Sequence, residues 1–387
     1  MITIILSFGV TVIGWTGTPS NCRLPISSHQ NSCKGACMLR MDVHDEHEHE
    51  IVSPPMRGSK AFRQQTPHSG AHFTHTHPSD QRQRTSKWLP FLRNRREKYK
   101  SKRFFEGWYY RVTLPEVKQS FVFIFSIEDP FMEKSNLTLS ACQVMGPNDE
   151  YLVQADVDDS KFWAWREQQG LGCTFEWNQD SDEEEDYSKH GALNPKIWRE
   201  KVKTGFQMLP QSLQGRLVGH DGTKGGVLEG QGIPGECSWD LTLTPVSGWG
   251  DSAIKETRED NRSQKSTAGW LASYPVFEPH WQVTMANAKA SGKITWKNQT
   301  YCFENQPFYA EKNWGGSFPK SWYWAQCNSF DGYPELAVTA GGGRRLLPFF
   351  DKTEDLGMIG IHFNGTFYEA VPWVCSCKLF MLENDTR

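Results

Sequence analysis

Two segments of the sequence set a carboxylate among aromatic residues. Glu106 lies within Phe-Phe-Glu-Gly-Trp-Tyr-Tyr at 104–110, and Glu311 lies within Phe-Tyr-Ala-Glu-Lys-Asn-Trp at 308–314. An ionised carboxylate is costly to bury alone, so each group either pairs with a cation or stays protonated. The cations available in sequence are Arg103, Arg111 and Lys312. A carboxyl group that stays neutral in such surroundings can act as a general acid.

Further aromatic and titratable residues accompany these segments. His280 precedes Trp281 and is either a proton relay or a hydrogen-bonded core histidine. In Trp322-Tyr323-Trp324 a strand period of two puts both tryptophans on one face. Such a pair either packs in a core or lines a ligand cavity.

The sequence lacks the common signatures of cofactor chemistry. It contains no G-x-G-x-x-G after a strand, no Walker A motif, no H-E-x-x-H and no G-x-S-x-G, which argues against nucleotide-dependent enzymes and serine hydrolases. The ten cysteines are scattered, and neither Cys33/Cys37 nor Cys375/Cys377 has a second ligand pair at a zinc-site spacing. We therefore expect free thiols, no metal site and no cofactor.

Charge and hydropathy limit the partners. A formal net charge of -3 argues against binding nucleic acid through bulk positive charge. The longest apolar run, residues 1–14, is shorter than the roughly 20 residues of a transmembrane helix. Ten basic residues against one acid at 82–103 either contact an anionic lipid or nucleic acid, or form a disordered arm.

The elements that must position these residues are strands. From Phe104 onward, short apolar or alternating runs are separated by Gly, Pro, Asn and Asp. Residues 121–127 predict a buried strand, and a period of two appears at 239–243, at 281–285 before Ser291-Gly292, and at 359–368 around the hairpin signal Asn364-Gly365. The pattern predicts an all-β chain whose antiparallel sheets close or fold over on themselves. Barrels of moderate size can hold a small apolar ligand.

Composition also divides the chain. Residues 1–65 are expected to be a targeting or disordered region, in which the His/Glu run at 44–50 is a solvated tail or a weak metal ligand set. The acidic stretch 180–186 predicts a solvated loop. The polar tract 251–267 is the predicted linker.

Several ordered blocks resemble the plant and cyanobacterial tocopherol cyclases. They are TPHSGAHF (66–73), FFEGWYYRVTLPE (104–116), SFVFIFSIEDP (120–130), QVMGPNDEYLVQAD (143–156), HWQVTMANAKASGKITW (280–296), FYAEKNWGGSFPKSWYWAQCNSF (308–330) and VTAGGGRR (338–345). The resemblance covers about 66–373. It implies tandem lipocalin-like antiparallel β-barrels at 66–250 and 268–373. It also implies ring closure of a phytylated benzoquinol to a chromanol in vitamin E biosynthesis, without a cofactor.

The resemblance implies further partners and roles. It suggests a chloroplast location at plastoglobules, with peripheral association to plastid lipid bodies or membranes. The block around Glu311 is also similar to that of carotenoid hydratases, in which this position is the proposed proton donor. The candidate catalytic residues are Glu311, Glu106 and His280, and the candidate substrate-binding residues are Trp108, Tyr109, Trp281, Tyr309, Trp314, Trp322 and Trp324.

The chain departs from the family pattern in two places. Residues at about 74–102 form a basic insertion where the family joins its opening segment almost directly to FFEGWY, and 374–387 form an atypical tail. These departures predict a second barrel without its closing strands. The alternatives are therefore a non-catalytic lipocalin-like carrier of prenyl lipids, or an inactive truncated isoform.

Overall fold

The computed structural model describes eleven stretches of the chain, and they are almost entirely strand. These stretches are residues 70–71, 104–130, 139–158, 161–165, 169–178, 191–218, 235–250, 266–269, 279–316, 321–347 and 352–372. The strands are β1 (Phe105–Leu114), β2 (Gln119–Glu128), β3 (Leu139–Met145), β4 (Tyr151–Asp156), β5 (Phe162–Ala164), β6 (Leu171–Trp177), β7 (Val202–Leu209), β8 (Ser212–Val218), β9 (Glu236–Ser247), β10 (His280–Trp296), β11 (Gln299–Gly315), β12 (Ser321–Cys327), β13 (Ala337–Leu347), β14 (Lys352–Phe363) and β15 (Thr366–Ala370). Helix α1 (Pro195–Lys201) and the 3₁₀ helices Pro115–Val117 and Pro147–Asp149 complete the described elements.

Eleven strands form the first sheet, in the order β4-β3-β2-β1-β11-β10-β9-β8-β7-β6-β5. All of its pairs are antiparallel. In β1, fully buried and partly exposed residues alternate over all ten positions, as expected for a strand with one face in a core. Because β1 pairs with both β2 and β11, residues about 200 positions apart in sequence become direct neighbours.

The first sheet curls until strands far apart in its order touch through their side chains. Phe125 of β2 stacks on Phe206 of β7 with ring centroids 4.1 Å apart, and Phe123 lies 4.8 Å from the ring of Trp239 in β9. The Gln154 side chain of β4 donates to Thr204 Oγ1 of β7 at 3.2 Å. The enclosed apolar residues, which we call the first core, are therefore packed by the two halves of one sheet.

Strand β10 is long and irregular, and its irregularities redirect its side chains. The predicted strand at 281–285 is confirmed, but the register shifts between Val283 and Met285. Met285 consequently enters the first core, whereas Trp281 and Val283 face the other way. Ser291-Gly292 lies inside β10, where Gly292 has φ of +145° and a Cβ would lie 2.1 Å from the Asp240 carbonyl oxygen. Only glycine fits that position.

Four strands form the second sheet, in the order β12-β13-β14-β15. The hairpin predicted at Asn364-Gly365 is confirmed, since these two residues connect β14 to β15 with φ of 50° and 75°. Positive φ at both central positions is the requirement of a type I′ turn.

A second core joins the outer face of the first sheet to the second sheet. Its buried members include Trp249, Trp281 and Tyr309, with Trp324 and Phe367 of the second sheet packed against them. Polar contacts cross the same boundary. Trp249 Nε1 donates to Glu369 Oε1 at 2.8 Å, and the His362 ring nitrogen Nε2 lies 2.7 Å from the Gly250 carbonyl oxygen.

The expectation of an all-β chain of antiparallel sheets is confirmed. The predicted linker falls between β9 and β10, which are neighbours in the first sheet, and the predicted division into domains stays a prediction. Segments 1–65, 74–102, 180–186 and 374–387 lie outside the described residues. Among the residues described, no helix is both long and apolar enough to cross a membrane.

We expect the substitution Phe206→Ala to lower the free energy of unfolding by about 3–5 kcal/mol, because it removes the ring against which Phe125 stacks. Urea denaturation followed by tryptophan fluorescence measures this change. Val117→Ala is the control, since Val117 is 52% exposed and surface substitutions change stability by only about 0.5 kcal/mol. Equal stability of the two variants would mean that the sheet does not close over Phe206.

Candidate active site

Strands β1 and β11 set four side chains on the face of the first sheet that meets the second sheet. Tyr109 is the register partner of Glu311, and Arg111 is the partner of Tyr309. Because alternate residues of a strand share a face, the four side chains form a two-by-two patch. The rings of Tyr109 and Tyr309 pack edge to face with centroids 6.3 Å apart.

Glu311 is buried in this patch, and three donors converge on one of its oxygens. Its exposed fraction is 6%. Tyr309 donates its hydroxyl hydrogen to Oε2 at 2.6 Å, Trp281 Nε1 donates at 2.8 Å and Trp324 Nε1 donates at 2.9 Å. A neutral carboxyl group keeps one oxygen as an acceptor and carries its proton on the other. With three donors on Oε2, the proton of the neutral acid is placed on Oε1.

Burial raises the pKa of Glu311 above its ordinary value. Loss of water around the carboxylate is the dominant cause, and hydrogen bonds from Tyr309, Trp281, Trp324 and Asn313 partly oppose it. Burial also raises the pKa of Tyr309, with the neighbouring Glu311 adding to the effect. The surroundings of Glu311 therefore favour the neutral acid, which is the form that can donate a proton.

The second sheet closes over the patch with one tryptophan and one glycine. The Trp324 ring lies edge to face with Tyr109 at 5.4 Å and with Tyr309 at 6.1 Å. Its register partner on β13 is Gly341, at which a Cβ would lie 2.7 Å from the Trp281 ring. Glycine at 341 thus leaves the space that the Trp281 indole occupies beside Glu311.

Glu106 lies on the opposite face of the same sheet. Its side chain is fully buried and forms an ion pair with Lys312, with Oε1 and Nζ 3.0 Å apart. Lys312 Nζ also donates to the Gly70 carbonyl oxygen, and its pKa is lowered by burial against the opposing effect of Glu106. Lys312, one of the three cations available in sequence, is therefore a partner of Glu106, and the pair is separated from Glu311 by the sheet itself.

Three other predicted site residues share the face of Glu106. The His280 ring stacks on Trp314 at 5.1 Å, and Lys312 Nζ lies 4.7 Å from the centroid of that indole ring. Trp108 is 1% exposed and packs in the first core against Phe162. These residues lie on the same side of the sheet as the ion pair, across the sheet from Glu311.

The structure thus separates the ten predicted site residues into two groups and one exception. Around Glu311 it brings together Tyr109, Trp281, Tyr309 and Trp324, whereas Glu106, Trp108, His280 and Trp314 lie on the other face. Trp322 is 53% exposed on the edge strand β12, two residues from Trp324. It lies at the margin of the patch rather than in it.

Sequence reasoning considered Arg111 only as a counter-ion for Glu106 or Glu311 and did not consider Gln326. Arg111 Nη2 donates to the Gln326 carbonyl oxygen at 3.3 Å. Burial raises the pKa of Tyr109 to about 12, against the opposing effect of the Arg111 guanidinium beside it. Strand parity could have found both residues, because Arg111 is an odd number of residues from Glu106 and Gln326 is two from Trp324.

No group of three or more His, Cys, Asp and Glu side chains that could hold a metal ion occurs in the part of the chain that the structure describes. The described cysteines, Cys142, Cys173, Cys237, Cys302 and Cys327, are free thiols. The polar groups of the site are instead the Glu311 carboxyl group itself and the hydroxyl and indole groups that donate to it.

The sequence profile of a family described as tocopherol cyclase-like matches residues 102–381. The chain belongs to this family. It is 37% identical over 334 residues to a protein named probable tocopherol cyclase, chloroplastic, from Oryza sativa subsp. japonica, covering 83% of this chain and 62% of that protein. It is also 37% identical over 320 residues to the tocopherol cyclase, chloroplastic, of Zea mays, covering 80% and 59%. The chain spans about three fifths of the length of these relatives.

Solved structures with a similar course of the chain are distant. A putative AttH protein from Nitrosomonas europaea aligns with a TM-score of 0.34 and 12% identity, covering 70% of this chain and 68% of that one. Kievitone hydratase from Nectria haematococca aligns with a TM-score of 0.30 and 12% identity, covering 69% and 63%.

We expect Lys312→Met to lower the free energy of unfolding by about 3–5 kcal/mol, because it leaves the Glu106 carboxylate buried without its cation. The double variant Glu106→Gln/Lys312→Met is expected to recover most of that loss, since it removes both charges. Chemical denaturation of the wild type, Glu106→Gln, Lys312→Met and the double variant measures the coupling free energy between the two side chains. Lys203→Met breaks an exposed pair with Glu176 and is the matched control. Additive effects would contradict the pairing.

We expect the stability of the wild type, relative to Glu311→Gln, to fall as pH rises. The folded-state pKa of Glu311 is raised above the unfolded value of about 4.3. Between these two values the folded protein holds the extra proton, so the free energy of unfolding decreases with increasing pH. Urea denaturation at several pH values upward from about 4 measures this difference. A wild type that gains stability over the variant as pH rises would show that the three donors hold an ionised carboxylate.

Proposed function

We propose that this protein closes the ring of a phytylated benzoquinol to the chromanol of tocopherol. The observation that carries the proposal is Glu311, a buried acid with a raised pKa in an aromatic core. The family to which the chain belongs and the names of its relatives give the reaction class. The reaction is an isomerisation, so neither electrons nor atoms are exchanged with a second reactant.

In the first step, Glu311 donates its proton to the trisubstituted alkene nearest the quinol ring. A C–H bond forms at the less substituted carbon, the π bond breaks, and positive charge develops on the tertiary carbon. An alkene is a very weak base, so the donor must be neutral and away from water. Burial of Glu311 favours the neutral form by raising its pKa. The carboxylate that remains lies next to the cation and offsets its charge.

In the second step, the phenolic oxygen attacks the tertiary carbon. The new C–O bond closes the second ring, the O–H bond breaks, and the proton returns to the Glu311 carboxylate. Because both groups belong to one substrate molecule, holding them in contact replaces a bimolecular encounter, and well-oriented cases gain about 7 kcal/mol or more. Glu311 ends the cycle as the neutral acid with which it began.

The aromatic residues around Glu311 have two roles in this proposal. Trp281, Trp324 and Tyr309 fix the carboxyl group through hydrogen bonds to Oε2, which directs Oε1 and its proton elsewhere. The rings of Trp281, Trp324 and Tyr109 pack in the same core, near this group. A desolvated aromatic face stabilises a cation by roughly 0.5–2 kcal/mol.

We also propose a plastid location, at plastoglobules or at the surface of plastid membranes. The relatives from rice and maize are named chloroplastic, and a phytylated quinol partitions into lipid. The exposed Trp322 at the margin of the patch fits an entry from such a surface, because tryptophan favours interfaces between apolar and aqueous surroundings.

We expect Glu311→Gln to abolish chromanol formation while leaving the fold and quinol binding largely intact, because the amide keeps the shape of the side chain but cannot donate the proton. Incubation of the purified full chain with a phytylated benzoquinol, followed by chromatography, measures the product. Glu369→Gln is the matched control, since Glu369 also accepts a hydrogen bond from an indole in the second core. It is expected to retain wild-type turnover.

The outcomes separate an enzyme from a carrier. Near-normal turnover by Glu311→Gln removes this residue from the proposed role. A wild-type chain that binds the quinol and releases it unchanged is a prenyl-lipid carrier, and the proposed cyclase activity is then wrong for this chain.

A further inference from the structure

The two polar atoms of the partly buried Gln326 side chain are enclosed and have no hydrogen-bond partner among the described residues. Neither Nε2 nor Oε1 exposes measurable surface, and among the described residues neither atom has a partner. An enclosed amide that makes no hydrogen bond is unfavourable, because it has lost water and gained nothing in exchange. Such a group in a native protein indicates a polar ligand or an ordered water at that place.

Gln326 shares a strand face with one of the tryptophans that donate to Glu311. It is two residues from Trp324 on β12, so the two side chains share a face of the strand, and Trp324 donates to Glu311. Its register partner on β13 is Thr339, whose hydroxyl lies beside Tyr309. Two residues along a strand span about 7 Å. Gln326 is therefore about one ring width along β12 from Trp324, one of the donors that hold Glu311.

Two further residues, Arg111 and Asn328, also have an enclosed polar atom without a hydrogen-bond partner among the described residues. Arg111 Nη2 donates to the Gln326 carbonyl oxygen, while Arg111 Nε is enclosed and lacks a partner among the described residues. Asn328 is 2% exposed; its Nδ2 donates to the Phe308 carbonyl oxygen at 2.8 Å, and its Oδ1 has no partner within the described part of the chain. One enclosed donor, Arg111 Nε, and one enclosed acceptor, Asn328 Oδ1, thus lack partners among the described residues, as the Gln326 amide does.

We propose that Gln326 and Arg111 form a polar subsite for the ring hydroxyl of the quinol that does not attack the cation. The inference rests on the proposed function, because it uses Glu311 to place the reacting alkene. The alkene and the attacking oxygen are at one side of the quinol ring, and the second hydroxyl is at the opposite side. With the alkene at Glu311, that second hydroxyl reaches toward Gln326.

The chemistry of the subsite favours the reduced ring. A phenolic hydroxyl both donates and accepts, so it satisfies Gln326 Oε1 as a donor and Arg111 Nε or Gln326 Nε2 as an acceptor. A quinone oxygen only accepts, which leaves Gln326 Oε1 unpaired. A site built to pair with a hydroxyl discriminates against an analogue that lacks its hydrogen. The subsite therefore selects the quinol over the corresponding quinone.

The test uses a ligand that cannot react, a benzoquinol whose side chain is saturated, kept under reducing conditions. Its binding to the full chain is followed by quenching of tryptophan fluorescence, with the matching quinone as a second ligand. We expect the wild type to bind the quinol at least tenfold more tightly than the quinone. Gln326→Leu is expected to weaken quinol binding by about tenfold and to leave quinone binding nearly unchanged.

A stability measurement separates this role from a structural one. Because the amide makes no hydrogen bond to the described residues, Gln326→Leu is expected to keep or raise the Tm, whereas a purely structural glutamine would lower it. Arg111→Lys keeps the charge but loses Nε, and is expected to weaken quinol binding in the same direction. Gln306→Leu, at a partly exposed glutamine of β11, is the matched control and leaves binding unchanged.

Each result has a defined meaning. Absence of binding by the wild type, equal affinity for quinol and quinone, or unchanged quinol binding by Gln326→Leu overturns the subsite. If quinol binding depends on Gln326 but the wild type forms no chromanol from the unsaturated substrate, the subsite stands and the cyclase proposal fails. If chromanol forms and Gln326→Leu retains the wild-type KM, the cyclase stands and the subsite fails.

Discussion

The arrangement around Glu311 depends on one constraint, which is that a carboxyl group enclosed in an aromatic core must either stay neutral or find a cation. No described ion pair includes Glu311, and the groups that donate to its Oε2 oxygen are neutral. These hydrogen bonds partly stabilise the carboxylate, but loss of water is the larger effect, so the pKa remains raised. The balance suits an acid that must give up a proton and take it back within one cycle, because neither protonation state is excluded.

On its other face, the same sheet buries a second carboxyl group, Glu106, whose charge is compensated by a cation. Glu106 is as deeply enclosed as Glu311, yet it lies against Lys312 and needs no proton. Glu311 and Lys312 are adjacent in sequence, so the alternation of β11 sends one to each face. A neutral acid and a compensated ion pair are thereby kept apart by the thickness of a single sheet. A shift of one residue in the pairing of β1 with β11 would exchange these surroundings.

The sequence alone was sufficient for the strand content and for the hairpin at Asn364-Gly365, and it indicated Glu311 as a candidate acid, because periodicity, turn chemistry and the clustering of aromatics are local signals. It could not show which face each residue occupies. The bulges of β10 send Met285 to one core and Trp281 to the other, although their spacing predicts a shared face. Strand parity could place Gln326 on the face of Trp324. It could not show that the Gln326 amide lacks a hydrogen-bond partner among the described residues, because that depends on its neighbours in space.

The second sheet completes the surroundings of Glu311 although it contributes few residues to them. Without β12 and β13, Glu311 would keep Tyr309 and Trp281 as donors but would lie open to water, and the desolvation that raises its pKa would be lost. Trp324 supplies the third donor, and its partner Gly341 makes room for the Trp281 indole. Packing and proton affinity are therefore coupled, because each contact that brings the second sheet closer to the first also removes water from the acid. If β12 did not pack on β10 and β11, the Glu311 carboxyl group would be exposed to water. It would then lose the neutral form that alkene protonation requires.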